Sequence, residues 1–204
     1  MLTDKKLRIA VMVSGGGTNL QALIDSMKSG VIHSGEITLV ISNKADAYAL
    51  TRAENAGIKA VAVTRKEQGD NFEKKIIETL EENNIDLVVL AGFMCILSQD
   101  FTDRFKNRII NIHPSLIPSF CGEGFYGLRV HKAALEKGVK VTGATVHFVN
   151  EIPDGGEIIM QKAVEVMEGD TPETLSTRVL QNAEWIILPR ATQLVCEKIL
   201  RNEI

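Results

Sequence analysis

The run RIINIHP, residues 108–114, closes an apolar segment with an amide, an imidazole and a proline. Side chains two apart in a strand point to one face, so Asn111 and His113 would look the same way at its end. Pro114 lacks an N–H and drives His113 toward extended geometry, so the chain cannot run on as a helix. Such a pair is either a satisfied structural contact or part of a site. A second candidate is SGGGTN, residues 14–19. Glycines let a backbone approach an anion, and a helix N-terminus presents free N–H groups with a positive dipole end. Gly15, Gly16, Gly17, Thr18 and Asn19 therefore read as a phosphate cradle, with a tight strand-to-helix turn as the alternative. The third is IPDGGE, which offers Asp154 on a turn. A histidine with an amide donor beside it and a carboxylate brought from elsewhere can stabilise an oxyanion and shuttle a proton. The carboxylate is expected to favour imidazolium and raise the histidine pKa.

Several chemistries fit poorly. A dinucleotide fingerprint needs glycine where Leu20 stands and an acidic residue where VISNK offers Ser42 and Asn43. No Walker lysine follows the glycines, so a small phosphorylated metabolite fits the loop better than a nucleotide cofactor. Ser115 follows His-Pro and sits in no nucleophile elbow. No motif has metal-ligand spacing, so no metal is expected. His33 falls in a loop, His131 begins a helix, and His147 alternates within TVHFV, where it can line a cavity wall.

The elements that must position these groups follow from periodicity. Strands are expected at LRIAVMVS, EITLVISN, IKAVAV, DLVVLAGF and RIINI, with helices between them. TNLQALIDSMK has Thr18 or Asn19 near its cap and Gly30 at its end, and AYALTRAENA is closed by Gly57. DNFEKKIIETLEENN sets Phe72, Ile76, Ile77 and Leu80 on one helical face with Asp70 as its cap, and SQDFTDRFKN makes a shorter helix. This alternation predicts an α/β fold with a doubly wound, mostly parallel sheet. HKAALEKG reads as a short helix, and KVTGATVHFVN and GEIIMQKAVEV as strands extending the sheet in antiparallel fashion. A long terminal helix from Thr171 is expected to bend near Pro189.

With 204 residues and no linker or repeat, one domain over 1–204 is expected, able to bury roughly 70% of its unfolded surface. The 23 Lys and Arg against 26 Asp and Glu give a net charge of −3 without runs of one sign. Nucleic acid and membrane surfaces therefore have no electrostatic support as partners. Cys95, Cys121 and Cys196 are scattered and odd in number, and the opening apolar run is too brief to span a bilayer. A reducing cytoplasm is the expected location.

The segments SGGGTNLQALID, SNKADAYAL, VVLAGFMCILS, NIHPSLIPSF and VTGATVHFVNEIPDGGEIIMQ occur in that order. Together, over essentially the whole chain, they resemble the folate-dependent glycinamide ribonucleotide formyltransferases of purine synthesis. The resemblance implies a Rossmann-like formyltransferase fold and transfer of a formyl group from 10-formyltetrahydrofolate, a co-substrate, to the amine of 5'-phosphoribosylglycinamide. It implies ribonucleotide binding by about 1–100 and folate binding and catalysis by about 101–204. Asn111, His113 and Asp154 would be catalytic. Gly15, Gly16, Gly17, Thr18 and Asn19 would hold the phosphate and ribose, and Glu184 the glycinamide end. Met94, Cys95, Ile96 and Leu97, with Val149, Asn150, Glu151, Asn111 and Asp154, would line the folate pocket, largely through backbone. Arg65 and Lys66 are cationic candidates for the glutamate tail. Two positions depart from the group's pattern: Cys121 stands where proline is common, in a long loop, and Cys95 where arginine is frequent. A hydrolase or methionyl-tRNA formyltransferase, and a non-catalytic phosphometabolite-binding module, are the competing readings; the expected partners are small molecules, with the chain a monomer or homodimer.

Overall fold

A computed structural model describes residues 6–204. The first half alternates: β1 (Leu7–Val13), α1 (Thr18–Lys28), β2 (Gly35–Ser42), α2 (Tyr48–Asn55), β3 (Lys59–Ala62), α3 (Arg65–Gln68), α4 (Phe72–Glu82), β4 (Leu87–Leu90), α5 (Gln99–Arg104) and β5 (Ile109–His113). The second half adds α6 (Leu128–Lys137), β6 (Val141–Phe148), β7 (Ile158–Glu165), α7 (Pro172–Val179) and α8 (Trp185–Leu200). Among the described residues the seven strands form one sheet in the order β3-β2-β1-β4-β5-β6-β7. The first five are parallel, and β6 and β7 join antiparallel. The expected α/β architecture with an antiparallel extension is the one observed.

The β1 sequence explains its central place. Ile9, Val11 and Val13 face one core with Leu20, Leu23, Ile187 and Val195, whereas Ala10 and Met12 face another with Leu39, Phe72, Ile76 and Phe101. A strand covered on both faces needs apolar residues at successive positions, which is why IAVMV does not alternate; Arg8 is exposed near the start of the strand. The order in which strands are added switches sides at β1: β2 and β3 lie on one side, β4 and β5 on the other. Ligands of such sheets bind in the crevice beyond the carboxyl ends at that switch point.

In three places the local structure departs from expectation. Asp70 does not cap α4; it lies in a 3₁₀ turn over Gly69–Asn71 after α3, which is capped by the Thr64 hydroxyl accepting from Glu67 N–H. Ile77 packs at the edge of the same core as Phe72, Ile76 and Leu80, as expected, and Thr79 is buried beside them. His131 does not begin a helix: α6 starts at Leu128, putting His131 on a buried face one turn in. The irregularity expected at Pro189 falls a turn earlier, in a π-helical turn over Leu180–Glu184, and α8 continues through the proline. Pro189 supplies no N–H to the carbonyl of residue 185, which lies one residue past the π-helical turn.

Candidate functional site

Asn111 and His113 end β5 on one face, and the antiparallel register sets His147 of β6 opposite Asn111 and Thr145 opposite His113. His147 Nδ1 lies 2.7 Å from the Phe148 carbonyl, which only accepts, so Nδ1 carries the proton. Its Nε2 lone pair then accepts from Asn111 Nδ2 at 3.2 Å, which fixes the amide with its NH2 group turned inward. By the same logic His113 Nε2 donates to the Phe120 carbonyl at 2.9 Å. Asp154, in a left-handed conformation at φ 55°, enters between the two imidazoles. Its Oδ2 stands 3.4 Å from His113 Nδ1 and accepts from Gly122 N–H at 2.8 Å, while Oδ1 is 3.5 Å from His147 Nε2. Gly156 permits this turn, because a Cβ there would sit 1.8 Å from the Phe148 carbonyl oxygen.

The segment after β5 is fixed by Thr145, whose hydroxyl donates to the Ser115 carbonyl at 2.7 Å and accepts from Ile117 N–H and Gln161 Nε2. His113 is 4% exposed. Burial is the largest influence on it and lowers its pKa; Asp154 and the Phe120 carbonyl oppose this, and His147 adds to it. The resting imidazole therefore lies below its ordinary pKa, which reverses the expectation that the carboxylate would win. Burial pushes Asp154 up, yet His147 and His113, through the proton each would turn toward it when charged, and the Gly122 N–H together hold its carboxyl below the usual range. His131, 1% exposed, is pushed down to about 4 by burial and then by His113, and its Nδ1 has no partner among the described residues.

Across the switch point, Gly17 caps α1 in a left-handed conformation at φ 71°. A Cβ at Gly17 would also lie 2.6 Å from Ala49 Cβ, so both backbone shape and the closeness of α2 demand glycine. Cβ atoms at Gly15 and Gly16 would meet nothing within 4 Å. Arg52 of α2 donates through Nε to the Gly16 carbonyl at 2.8 Å. Asn19 Nδ2 donates to Glu184 Oε2 at 2.7 Å, joining α1 to the π-helical turn over 165 residues of sequence. Both side chains are buried, and Asn19 Oδ1 is left without a partner among the described residues. Burial raises the Glu184 pKa and the Asn19 amide partly offsets it.

The segment after β4 is tied to the end of β1 by Met94 N–H donating to Ser14 Oγ at 2.7 Å. Met94 and Ile96 are 54% and 64% exposed, and Ile152, two residues before Asp154, is 58% exposed. Leu97 differs: its side chain is buried with Phe93 and Phe101, leaving only its backbone to face a ligand. Cys95 Sγ accepts from Asn43 Nδ2 at 3.1 Å. Val149 packs partly against the core and its N–H donates to Ile109; Asn150 Oδ1 accepts from Ile152 N–H, and Glu151 is exposed. Arg65 and Lys66 are exposed, with the Arg65 guanidinium spent over the Phe72 ring. Cys121 Sγ donates to the Pro118 carbonyl beside Asp154. From sequence His147 reads only as a cavity-wall residue and Arg52 carries no signal; the register of β6 on β5 gives His147 its place opposite Asn111.

The model of the formyl transferase family matches residues 7–192. The chain is 50% identical over 193 residues to the trifunctional purine biosynthetic protein adenosine-3 of Homo sapiens, covering 94% of this chain and 18% of that protein. It is 36% identical over 200 residues to the chloroplastic phosphoribosylglycinamide formyltransferase of Arabidopsis thaliana, covering 97% and 68%. The crystal structure of glycinamide ribonucleotide transformylase 1 from Symbiobacterium toebii superposes with a TM-score of 0.88 at 45% identity, over 94% of this chain and 88% of that one. The chain thus spans about a fifth of the length of the trifunctional relatives.

Proposed function

Because this chain belongs to the formyl transferase family, we propose that it transfers the formyl group of 10-formyltetrahydrofolate to the amine of 5'-phosphoribosylglycinamide, giving N-formylglycinamide ribonucleotide and tetrahydrofolate in purine synthesis. The observation that carries the reading is the meeting of Asn111, His113 and Asp154 at the carboxyl end of β5, facing the glycine loop across the switch point.

The folate supplies the formyl carbon, and the exposed apolar side chains of Met94, Ile96 and Ile152 suit the faces of a flat heterocycle. Asn111, turned by His147, offers an N–H to the formyl oxygen as the amine attacks. His113 is a poor proton holder at rest because burial disfavours its charge. Negative charge developing on the formyl oxygen adds to that of Asp154 and favours the imidazolium, so the interaction strengthens in the transition state. Asp154 holds the acquired proton at Nδ1, while Nε2–H leaves the Phe120 carbonyl to donate toward the reacting centre. The proton lost by the amine returns to the departing N10 through this pair.

At the other end, N–H groups of Gly15 to Thr18, with the Thr18 hydroxyl, hold the phosphate. Asn19 Oδ1, buried and unpartnered among the described residues, takes a donor of the ribose or amide, and the free oxygen of Glu184 takes the glycinamide end. Residues of about 1–100 thus serve mainly the ribonucleotide and about 101–204 the folate, with Met94 and Glu184 each crossing that division. The partners are these two small molecules, neither nucleic acid nor membrane, with no metal in any step; the chain works as a monomer or homodimer. The thiols of Cys95, Cys121 and Cys196 are unpaired, which suits a reducing cytoplasm.

The test is tetrahydrofolate release from 10-formyltetrahydrofolate with and without the ribonucleotide. Release that requires the ribonucleotide supports the reading. Release without it identifies a hydrolase, and ribonucleotide binding with no release identifies a binding module.

A further inference from the structure

We infer that Arg52 is a positioning and specificity residue: by drawing the Gly16 carbonyl toward α2, it aims the loop's N–H groups at the substrate phosphate. The inference rests on the reading of the glycine loop as the phosphate cradle.

In a trans peptide the C=O and the following N–H point in opposite directions. The Gly15 carbonyl accepts from Ala49 N–H at 3.1 Å, and the Gly16 carbonyl from Arg52 Nε at 2.8 Å. Both carbonyls are therefore pulled toward the start of α2, and the N–H groups of Gly16 and Gly17 are turned to the opposite side. Neither N–H finds an acceptor among the described residues. Arg52 is itself fixed on two further sides. Its Nη1 donates to Gln21 Oε1 at 3.0 Å, and its guanidinium lies 5.0 Å from the centre of the Tyr48 ring. The side chain thus bridges α2, α1 and the loop, with donors remaining at Nη2 and its positive charge beside the cradle. The backbone bond to Ala49 belongs to any residue at 49, whereas the bond to Gly16 depends on this one side chain. No other side chain among the described residues donates to a loop carbonyl.

A clamp of this kind affects the phosphate and not the formyl centre, so binding and turnover should separate. The experiment compares wild type, Arg52→Ala and Arg52→Lys with the ribonucleotide and with its dephosphorylated ribonucleoside. Loss of one charge-assisted hydrogen bond predicts a KM for the ribonucleotide about 10- to 100-fold higher in Arg52→Ala. The KM for folate and the kcat should stay near wild type, Arg52→Lys should recover part of the loss, and the ribonucleoside KM should not change. An unchanged ribonucleotide KM, an equal rise for ribonucleotide and ribonucleoside, or a fall in kcat at constant KM would each overturn the inference. Should wild type transfer no formyl group, the proposed function fails, and inorganic phosphate titrated calorimetrically into wild type and Arg52→Lys decides the clamp: equal affinity overturns it, weaker binding by the variant supports it. The same titration serves if Arg52→Ala does not fold.

Discussion

Replacing Asp154 with asparagine removes one charge and keeps an acceptor for the Gly122 N–H, so the loop stays pinned while the electrostatics change. At 3.4 Å from His113 Nδ1, the carboxylate acts on an imidazolium with about 5 kcal/mol at an effective dielectric near 20. Part of that attraction only offsets the burial that depresses His113, so the catalytic share is smaller. Losing one electrostatic partner of a developing oxyanion costs about 2.7–4 kcal/mol, or about 100- to 1,000-fold in rate. Asp154→Asn should therefore lower kcat/KM by about that factor near neutral pH. The sign of its pH dependence follows from the charge. Without Asp154 the His113 pKa falls further, so the variant needs a higher proton concentration to form the same imidazolium. The ratio of wild-type to variant kcat/KM should shrink as the pH is lowered from 8 toward 5.5, and protonation of the substrate amine cancels in that ratio. The assay is initial-rate tetrahydrofolate release at several pH values, with Asp154→Asn/His113→Ala alongside. If the pair acts as one unit, the double variant should be little worse than His113→Ala alone. A ratio that is flat with pH, or additive losses in the double variant, would refute the reasoning.

Further outcomes follow from the same contacts. His147→Leu removes the acceptor that orients Asn111, and kcat should fall about 10- to 100-fold with both KM values kept; unchanged kcat in steady-state assays would contradict that role. His131 is held near pKa 4 when folded against 6.5 when unfolded, so the unfolded chain binds the extra proton between those values and stability falls as pH drops through that window. The cost is about 3 kcal/mol, and urea midpoints of His131→Gln should show a correspondingly flatter acid limb, whereas parallel curves would exclude it. Arg178 bonds both oxygens of Asp170 at the start of α7 and holds that carboxyl well below the usual range. Asp170→Asn should destabilise by about 2–3 kcal/mol at neutral pH, and the difference should shrink as pH falls below 3.8, where the unfolded carboxyl takes up a proton that the folded ion pair still excludes.

What the sequence discloses is governed by the range over which each feature is encoded. The alternation of apolar strands and helices is local, and so is the period of two that turns Asn111 and His113 to one face; both were legible without coordinates. Cross-strand register is not local. His147 gains its place opposite Asn111 only because β6 pairs antiparallel with β5, and nothing within TVHFV distinguishes that alignment from a slip of one residue. Contacts at long separation are less visible still: Asn19 reaches Glu184 through a π-helical turn that the proline pattern placed at the wrong residue. The sign of the His113 shift depends on a three-dimensional sum. A carboxylate in the sequence argues for imidazolium, but the same folding that brings Asp154 to 3.4 Å also leaves His113 4% exposed. These two effects have separate catalytic uses. A histidine already charged at rest would bind ground state and transition state alike, and one buried without a carboxylate would charge in neither. In the proposed transfer, burial with Asp154 close by would keep the ring short of its proton until the formyl oxygen itself becomes negative, which would concentrate the favourable interaction where it lowers the barrier.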